Sequence, residues 1–298
     1  MRQIRGINYP WTVFEGRPNY GCDFGRNRWN SHTGVTAHLA DVRADFETMA
    51  NAGIEVARWF AFTDGRGGLA WNASGELAGL DDRSFDDFDA ALDIATATGV
   101  RLCLVLVDFM WLDDASRRLA LESGAFFDRV LDPLLDRYGA SDVIHSFDVI
   151  NEPEWRDEWP VDHLRAYAGG ASQRIHSRSR SLVTLGGAHV RNASQWDDQA
   201  YGLDVIQVHS YPDVRYQDRD DSVFDKTAAD FGLSKPLLIG ECPWHPRAHP
   251  DGHLSPARTL EDYLDRARDA GYLGAWPWSF KGVDAFGAVD LSLLAARR

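Results

Sequence analysis

The chain has 298 residues, with 31 Lys plus Arg against 45 Asp plus Glu, a formal net charge of −14 and 44% hydrophobic residues. That balance excludes nucleic acid, whose phosphates need a basic surface, and an anionic membrane surface. No run approaches the ~18 uninterrupted apolar residues of a membrane span. The opening MRQIRGINYPW has no apolar h-region, so no signal peptide is visible. A cytoplasmic location is expected for the chain as it stands, or a secreted one if a leader has been removed.

No Pro/Gly/Ser-rich linker, low-complexity tract or shift in composition divides the chain, which predicts one domain over residues 1–298. The elements follow in order. An apolar run, Ile4–Tyr9, precedes a helix that Thr36 can cap, burying Leu39, Val42, Phe46 and Met49, with Gly53 past its end. The run Ile54–Phe60 follows, then a helix capped by Ser84 that buries Phe85, Phe88, Leu92 and Ala95 and stops before Gly99. Next come Val100–Asp108, a helix over Ala115–Arg137, the run Ile144–Ile150, a helix over Val161–Ser179, and the runs Ser181–Gly186 and Asp204–His209. A helix over Asp221–Phe231 leads to Pro236–Gly240. Ser255–Pro256 then reads as an N-cap and first-turn pair for a helix with Leu260, Tyr263, Leu264 and Ala267 on its apolar face. Gly271 ends that helix, and Leu273–Trp278 is the last run.

These runs are short, rich in Val, Ile and Leu, and do not alternate, the pattern of strands buried on both faces. Eight of them alternating with helices predict an α/β fold, a single (β/α)8 TIM barrel. The alternative is an open doubly wound sheet, but no GxGxxG or GxxxxGK[ST] follows a strand. No cofactor and no metal are therefore expected. Cys22, Cys103 and Cys242 fit neither a disulfide framework nor zinc spacing and read as free thiols.

In a barrel the chemistry sits where strands end. The fourth run ends SFDVINEPEW and the seventh PLLIGECPW, so each delivers a glutamate, Glu152 and Glu241, to the mouth. Two carboxyls facing each other across a pocket suit glycoside hydrolysis, one protonated as acid and one ionised. Either alone would pass as a structural ion-pair partner. Glu154 and Glu158 are competitors for the acid role. Asn151 can donate to a sugar 2-hydroxyl, Tyr211 can hydrogen-bond Glu241, and His209 can reach either carboxyl or the sugar. Arg58 lies inside the apolar run VARWFAF and must be paired, most naturally with a carboxylate at the mouth. Trp276 and Trp278 offer flat faces to a pyranose.

Arg58, Asn151–Glu152–Pro153, His209–Ser210–Tyr211, Glu241 and Trp278, in this order, resemble clan A of the retaining glycoside hydrolases, most of all family 5, the cellulase and β-mannanase family. The likeness extends from Ile4–Asn8 to Trp278. It implies a (β/α)8 barrel, Glu152 as acid/base, Glu241 as nucleophile and a β-linked carbohydrate of the mannan or glucan type as substrate. Arg58–Gly65 (RWFAFTDG) leans towards the β-mannanases. One departure stands out: many family members carry a histidine at the end of the third strand, where LVLVDFMW offers Asp108 and Trp111.

The 11 tryptophans are the compositional excess. Trp11, Trp29, Trp71, Trp111, Trp155, Trp159 and Trp244 fall in strand–helix loops, where a sugar cleft would use them and core packing would claim about half. Trp111 and Trp244 are taken as substrate contacts, Trp59 and Trp196 as packing. His245, His249 and His253 recur every four residues, but Pro246 and Pro250 break any helix, so this is a loop. Two other readings remain open: a metal-dependent barrel hydrolase using Asp108 and the His245–His253 loop, and a sugar-binding barrel without catalysis.

Overall fold

The computed structural model describes residues 2–14, 17–20, 34–156, 159–211, 222–245, 247–248, 254–255, 258–284 and 286–296. Eight strands form one parallel sheet: β1 (Gly6–Asn8), β2 (Val56–Phe60), β3 (Arg101–Val105), β4 (Ile144–Asn151), β5 (Leu182–Gly187), β6 (Ile206–His209), β7 (Leu237–Pro243) and β8 (Ala275–Trp278). Their spatial order is their chain order. The sheet closes where Ile4 N–H donates to Leu273 O at 2.7 Å and Asn8 Nδ2 donates to Trp276 O at 3.2 Å. The result is a (β/α)8 barrel with each expected run present; β4, β5 and β7 run one to three residues past their expected ends and the others are shorter than expected. Apart from exposed Arg101 and half-buried Leu182, every strand residue is buried, which is why the runs carry no alternation.

Inward residues are two apart along a strand, so they stack in layers. The lower layer is apolar: Val56, Cys103, Val205, Leu238, Leu273 and Trp276. The upper layer gathers Phe60, Val105 and Trp278, with Tyr211 and Phe286 against them. Between them lies a polar layer that includes Arg58, two residues from both Val56 and Phe60. Trp276 is accordingly no sugar platform. Its indole N–H donates to Ile4 O at 3.0 Å, and its ring fills the space that a side chain at Gly6 would need.

Helices α1 (Leu39–Asn51), α2 (Ser84–Thr98), α3 (Ala115–Glu122), α4 (Asp132–Tyr138), α5 (Val161–Arg178), α6 (Ala193–Trp196), α7 (Ser222–Asp225), α8 (Leu260–Ala270) and α9 (Ser292–Ala295) complete the fold. Several boundaries differ from the sequence reading. Thr36 donates its N–H and hydroxyl to Asp87 Oδ1 at 2.7 and 2.6 Å instead of capping α1, and Leu39 is exposed. Ser84 is the first residue of α2, not its cap, and its hydroxyl donates to Gly68 O at 2.6 Å. The single helix expected over Ala115–Arg137 is broken at Gly124, whose φ of 79° is left-handed.

The helix expected over Asp221–Phe231 stops at Asp225. Asp230 Oδ2 there accepts from both the N–H and the hydroxyl of Thr227, at 2.8 Å each, and so competes with helical bonding. Thr259, not Ser255, caps α8: Thr259 N–H donates to Asp262 Oδ2 and Asp262 N–H to Thr259 Oγ1, a reciprocal pair that satisfies two donors. Ser255 instead pairs with Arg247 in a two-residue ladder. Cys103 and Cys242 are buried free thiols; Cys22, Asp221 and Pro256 lie outside the described residues. No helix among the described residues is long and apolar enough to cross a membrane.

Candidate active site

Strand β4 ends at Asn151, and Glu152 turns the chain with φ 48° and ψ 46°, the one non-glycine among the described residues with positive φ. A carboxylate residue held left-handed costs about 1–3 kcal/mol and is kept only where its surroundings enforce it. Here Glu152 N–H donates to Gly186 O at 2.6 Å, and Pro153 starts a tight turn. Across the mouth, β7 carries Glu241, 5% exposed. A register shift between β6 and β7 sets His209 opposite Glu241. One side-chain atom each of Glu152, His209 and Glu241 lies within 4.8 Å of the others.

Arg58 organises the layer beneath. Its Nη1 donates to Glu241 Oε1 at 2.5 Å and to Asn8 Oδ1 at 3.0 Å. Its Nη2 donates to Asn151 Oδ1 at 2.6 Å and to Asp148 Oδ2 at 2.8 Å, and Nε reaches the same Asp148 oxygen at 3.0 Å. Burial opposes the Arg58 charge, but Asp148 and Glu241 outweigh it and raise the pKa. Asp148 also accepts from Gln207 Nε2 at 2.6 Å and from Gly186 N–H at 2.9 Å. Gly186 is required here, because a side chain would lie 2.9 Å from Arg58 Nη2.

Asn8, Asp148 and Gln207 were not singled out from the sequence. Asp148 in SFDVIN carries the same signal as Arg58, a charged residue inside a buried run. Asp108 belongs to this network as well. It accepts from Asn151 Nδ2 at 2.7 Å and from Met110 N–H at 3.0 Å, and so fixes which way the Asn151 amide points.

Burial raises the pKa of both glutamates. The rise is opposed at Glu152 by the Trp155 hydrogen bond and the Arg58 charge, and at Glu241 by the Arg58 cation that bonds it directly. Glu241 takes the Arg58 cation directly, and Tyr211 Oη donates to its other oxygen at 3.0 Å. Burial, then Glu241, holds the Tyr211 phenol neutral and able to donate. Glu152 has only neutral partners: Oε1 shares a 2.6 Å hydrogen bond with His209 Nδ1, and Oε2 accepts from Trp155 Nε1 at 2.8 Å. His209 is neutral because burial lowers its pKa to about 4. If the pair holds one proton, Glu152 keeps it and Glu241 is ionised, because a carboxylate beside a guanidinium is the better anion.

With one oxygen of each carboxyl within 4.8 Å of the other, the pair lies on the close side, nearer the ~5–5.5 Å separation of retaining glycoside hydrolysis than the ~6.5–9.5 Å inverting arrangement. Glu152, His209 and Glu241 are also spaced to hold a cation. His209 Nδ1 and Glu152 Oε1 are already bonded to each other, however, and the Arg58 charge on Glu241 disfavours a second cation. Asp108, the carboxylate of the metal-hydrolase alternative, accepts from Asn151 Nδ2 and Met110 N–H and belongs to the Arg58 network. His245 packs at 4.1 Å on the Trp244 ring, and His249 and His253 lie outside the described residues.

The remaining candidates divide. Trp278 sits in the upper layer, edge-on to Phe60 at 6.2 Å, with its N–H donated to Asp284 Oδ2. Trp111 is a correction: it is fully buried, donates to Phe62 O at 2.6 Å and packs against Phe126, so it has no face to offer a ligand. Trp244 is half-buried and donates to Phe286 O at 2.7 Å. Trp59 and Trp196 are buried, as is Trp159, which donates to Glu122 Oε1 at 2.9 Å. Trp71 donates to Gly65 O at 2.7 Å. Glu154 accepts from Ala188 N–H at 3.0 Å, which ties the loop after β5 to the turn. The Trp11 side chain, Trp29 and Glu158 lie outside the described residues.

No protein-family model matches the chain. A curated relative, mannan endo-1,4-beta-mannosidase 1 of Oryza sativa subsp. japonica, is 24% identical over 291 aligned residues, covering 77% of this chain. The match spans 66% of that relative's length. Among solved structures, the β-mannanase of the blue mussel Mytilus edulis aligns with a TM-score of 0.76 at 17% identity, covering 98% of this chain and 91% of that one. The β-1,4-D-mannanase of Cryptopygus antarcticus aligns with a TM-score of 0.77 at 18% identity, covering 98% and 88%. The chain is a (β/α)8 barrel, and the sequence relative and the two fold neighbours named above are β-mannanases, in line with its resemblance to glycoside hydrolase family 5.

Proposed function

We propose that the protein is an endo-acting hydrolase of β-1,4-linked mannan that works by double displacement with retention, residues 1–298 forming its catalytic barrel. The observation that carries this reading is the pair Glu152 and Glu241, within 4.8 Å of each other and unequally partnered. The names of the sequence relative and of the fold neighbours support mannan as the substrate.

In the first step the Glu241 carboxylate attacks the anomeric carbon while Glu152 gives its proton to the departing glycosidic oxygen. Arg58 and Tyr211 hold Glu241 ionised and oriented; the glycosyl ester that forms is neutral, and the negative charge ends on Glu152, which has given up its proton. In the second step Glu152, now ionised, takes a proton from water. That water attacks the anomeric carbon, and the bond to Glu241 breaks. Asn151, its oxygen held by Arg58 and one N–H by Asp108, has a second N–H for the sugar 2-hydroxyl, a contact that strengthens in the transition state. Trp278 lines the floor.

The test is to follow the anomer first released from β-1,4-mannan by proton NMR, before mutarotation. The β-anomer is expected, with a chelator making no difference. An α-anomer would overturn retention, and reducing ends from β-glucan but not mannan would overturn the substrate.

A further inference from the structure

Trp155, three residues after Glu152, is 49% exposed, yet its ring is held in place. Its indole N–H donates to Glu152 Oε2 at 2.8 Å, and His189 meets the ring at 5.1 Å with a 69° interplanar angle. The backbone beneath is anchored too. Trp155 N–H donates to Glu152 O at 3.2 Å, and Arg156 Nη1 donates to Trp155 O at 2.7 Å. The Arg156 guanidinium also pairs with Asp113 at 2.8 Å and covers the Phe109 ring at 4.7 Å. Single exposed apolar side chains need no explanation. An exposed indole whose one polar group is committed to a candidate acid is a different case, because its free face lies beside the atom that must meet the leaving group.

We propose that Trp155 is a positioning residue for Glu152 and also the platform on which the leaving-group sugar rests. The inference builds on the reaction proposed above. With His209 on Oε1 and Trp155 on Oε2, both oxygens of Glu152 are engaged and the carboxyl cannot rotate freely. An N–H donor binds a carboxylate more strongly than a carboxylic acid. Trp155 therefore stabilises Glu152 most after its proton has gone to the leaving oxygen. A pyranose lying on the indole brings its oxygen next to the acid, and ring-on-ring contact supplies apolar area with little ordering cost. The charged and titratable groups that face Glu152 are Arg58 from β2, Asp108 after β3, Asp148 from β4, Glu154 in its own turn, His189 after β5, His209 and Tyr211 at β6 and Glu241 from β7.

Trp155→Phe keeps a ring and deletes the N–H, whereas Trp155→Ala deletes both. In protein labelled with ¹³C at the glutamate carboxyls, the Glu152 resonance is identified by its loss in Glu152→Gln. Its titration should move up by about one pH unit in Trp155→Phe. An unmoved titration overturns the positioning role. On mannooligosaccharides, Trp155→Phe should carry the basic limb of kcat/KM to higher pH by the same amount with KM little changed, and Trp155→Ala should raise KM about tenfold. That rise should be confined to substrates with a ring beyond the scissile bond, β-mannosyl fluoride being the comparison. An equal rise on the fluoride overturns the platform. The titration needs no turnover, so a wild type inactive on every β-mannoside would overturn the proposed reaction and leave the hydrogen-bond result standing.

Discussion

Arg58 Nη1 donates to Glu241 Oε1 at 2.5 Å and to Asn8 Oδ1 at 3.0 Å, so a single nitrogen ties the proposed nucleophile to the first strand of the barrel. The guanidinium is fully buried, and it also carries Asp148 and Asn151. Barrel stability and nucleophile ionisation therefore share one residue.

Removing that cation leaves Asp148 and Glu241 buried without their partner. Breaking a buried pair in this way costs about 3–5 kcal/mol. Arg58→Ala should lower the urea midpoint accordingly, and Arg58→Lys should recover part of the loss, since the charge returns without the fork. A midpoint unchanged in Arg58→Ala would contradict the hub.

Glu241→Gly should lower kcat on an aryl β-mannoside by about 10⁴-fold or more, as removal of a nucleophile does elsewhere. Added azide should restore turnover and yield the α-glycosyl azide, because the small anion attacks from the face that the carboxylate vacated. Product stereochemistry by NMR checks this.

Glu152→Gln should discriminate by leaving group. With a mannose leaving group, loss of the acid should cost about 10²–10⁴-fold. With dinitrophenolate, which departs without a proton, the first step should be nearly unaffected and a burst of product should precede slow turnover. Stopped-flow absorbance distinguishes the two.

His145 offers a pH test away from the mouth. It is 9% exposed, bonded to Ser146 Oγ at 3.0 Å, and burial lowers its pKa to about 4. In the unfolded chain it titrates near ~6.5, so the folded state binds that proton less readily. Its contribution is present above about pH 6.5 and is lost as pH falls towards 4, a span of about 3 kcal/mol. His145→Leu should flatten the fall in unfolding free energy over that window, measured by urea unfolding at several pH values.

Much of the molecule is legible without coordinates, for identifiable reasons. Strands buried on both faces cannot carry polar residues cheaply, so the exceptions mark the site. Arg58 inside VARWF and the glutamates at the ends of β4 and β7 stand out on that ground. Helix starts were less legible: Thr36 and Ser84 have good capping chemistry, but Asp87 and Gly68 from neighbouring segments claim their hydroxyls.

The sequence by itself determined the eight-strand barrel and that Glu152 and Glu241 reach its mouth, because burial sets the composition of each run and strand ends set the location of the chemistry. Only the tertiary structure decided the partners and the layers. Trp276 and Trp278 are two residues apart and chemically identical, yet one plugs the bottom and the other lines the top. Asp148 and Asn151 meet the same guanidinium because β4 shifts register between them. Trp155, unremarkable in a list of 11, gains its meaning from the left-handed turn at Glu152 that brings its N–H to the carboxyl. Direction and register depend on what the neighbouring strands present, and no single stretch of sequence carries that information.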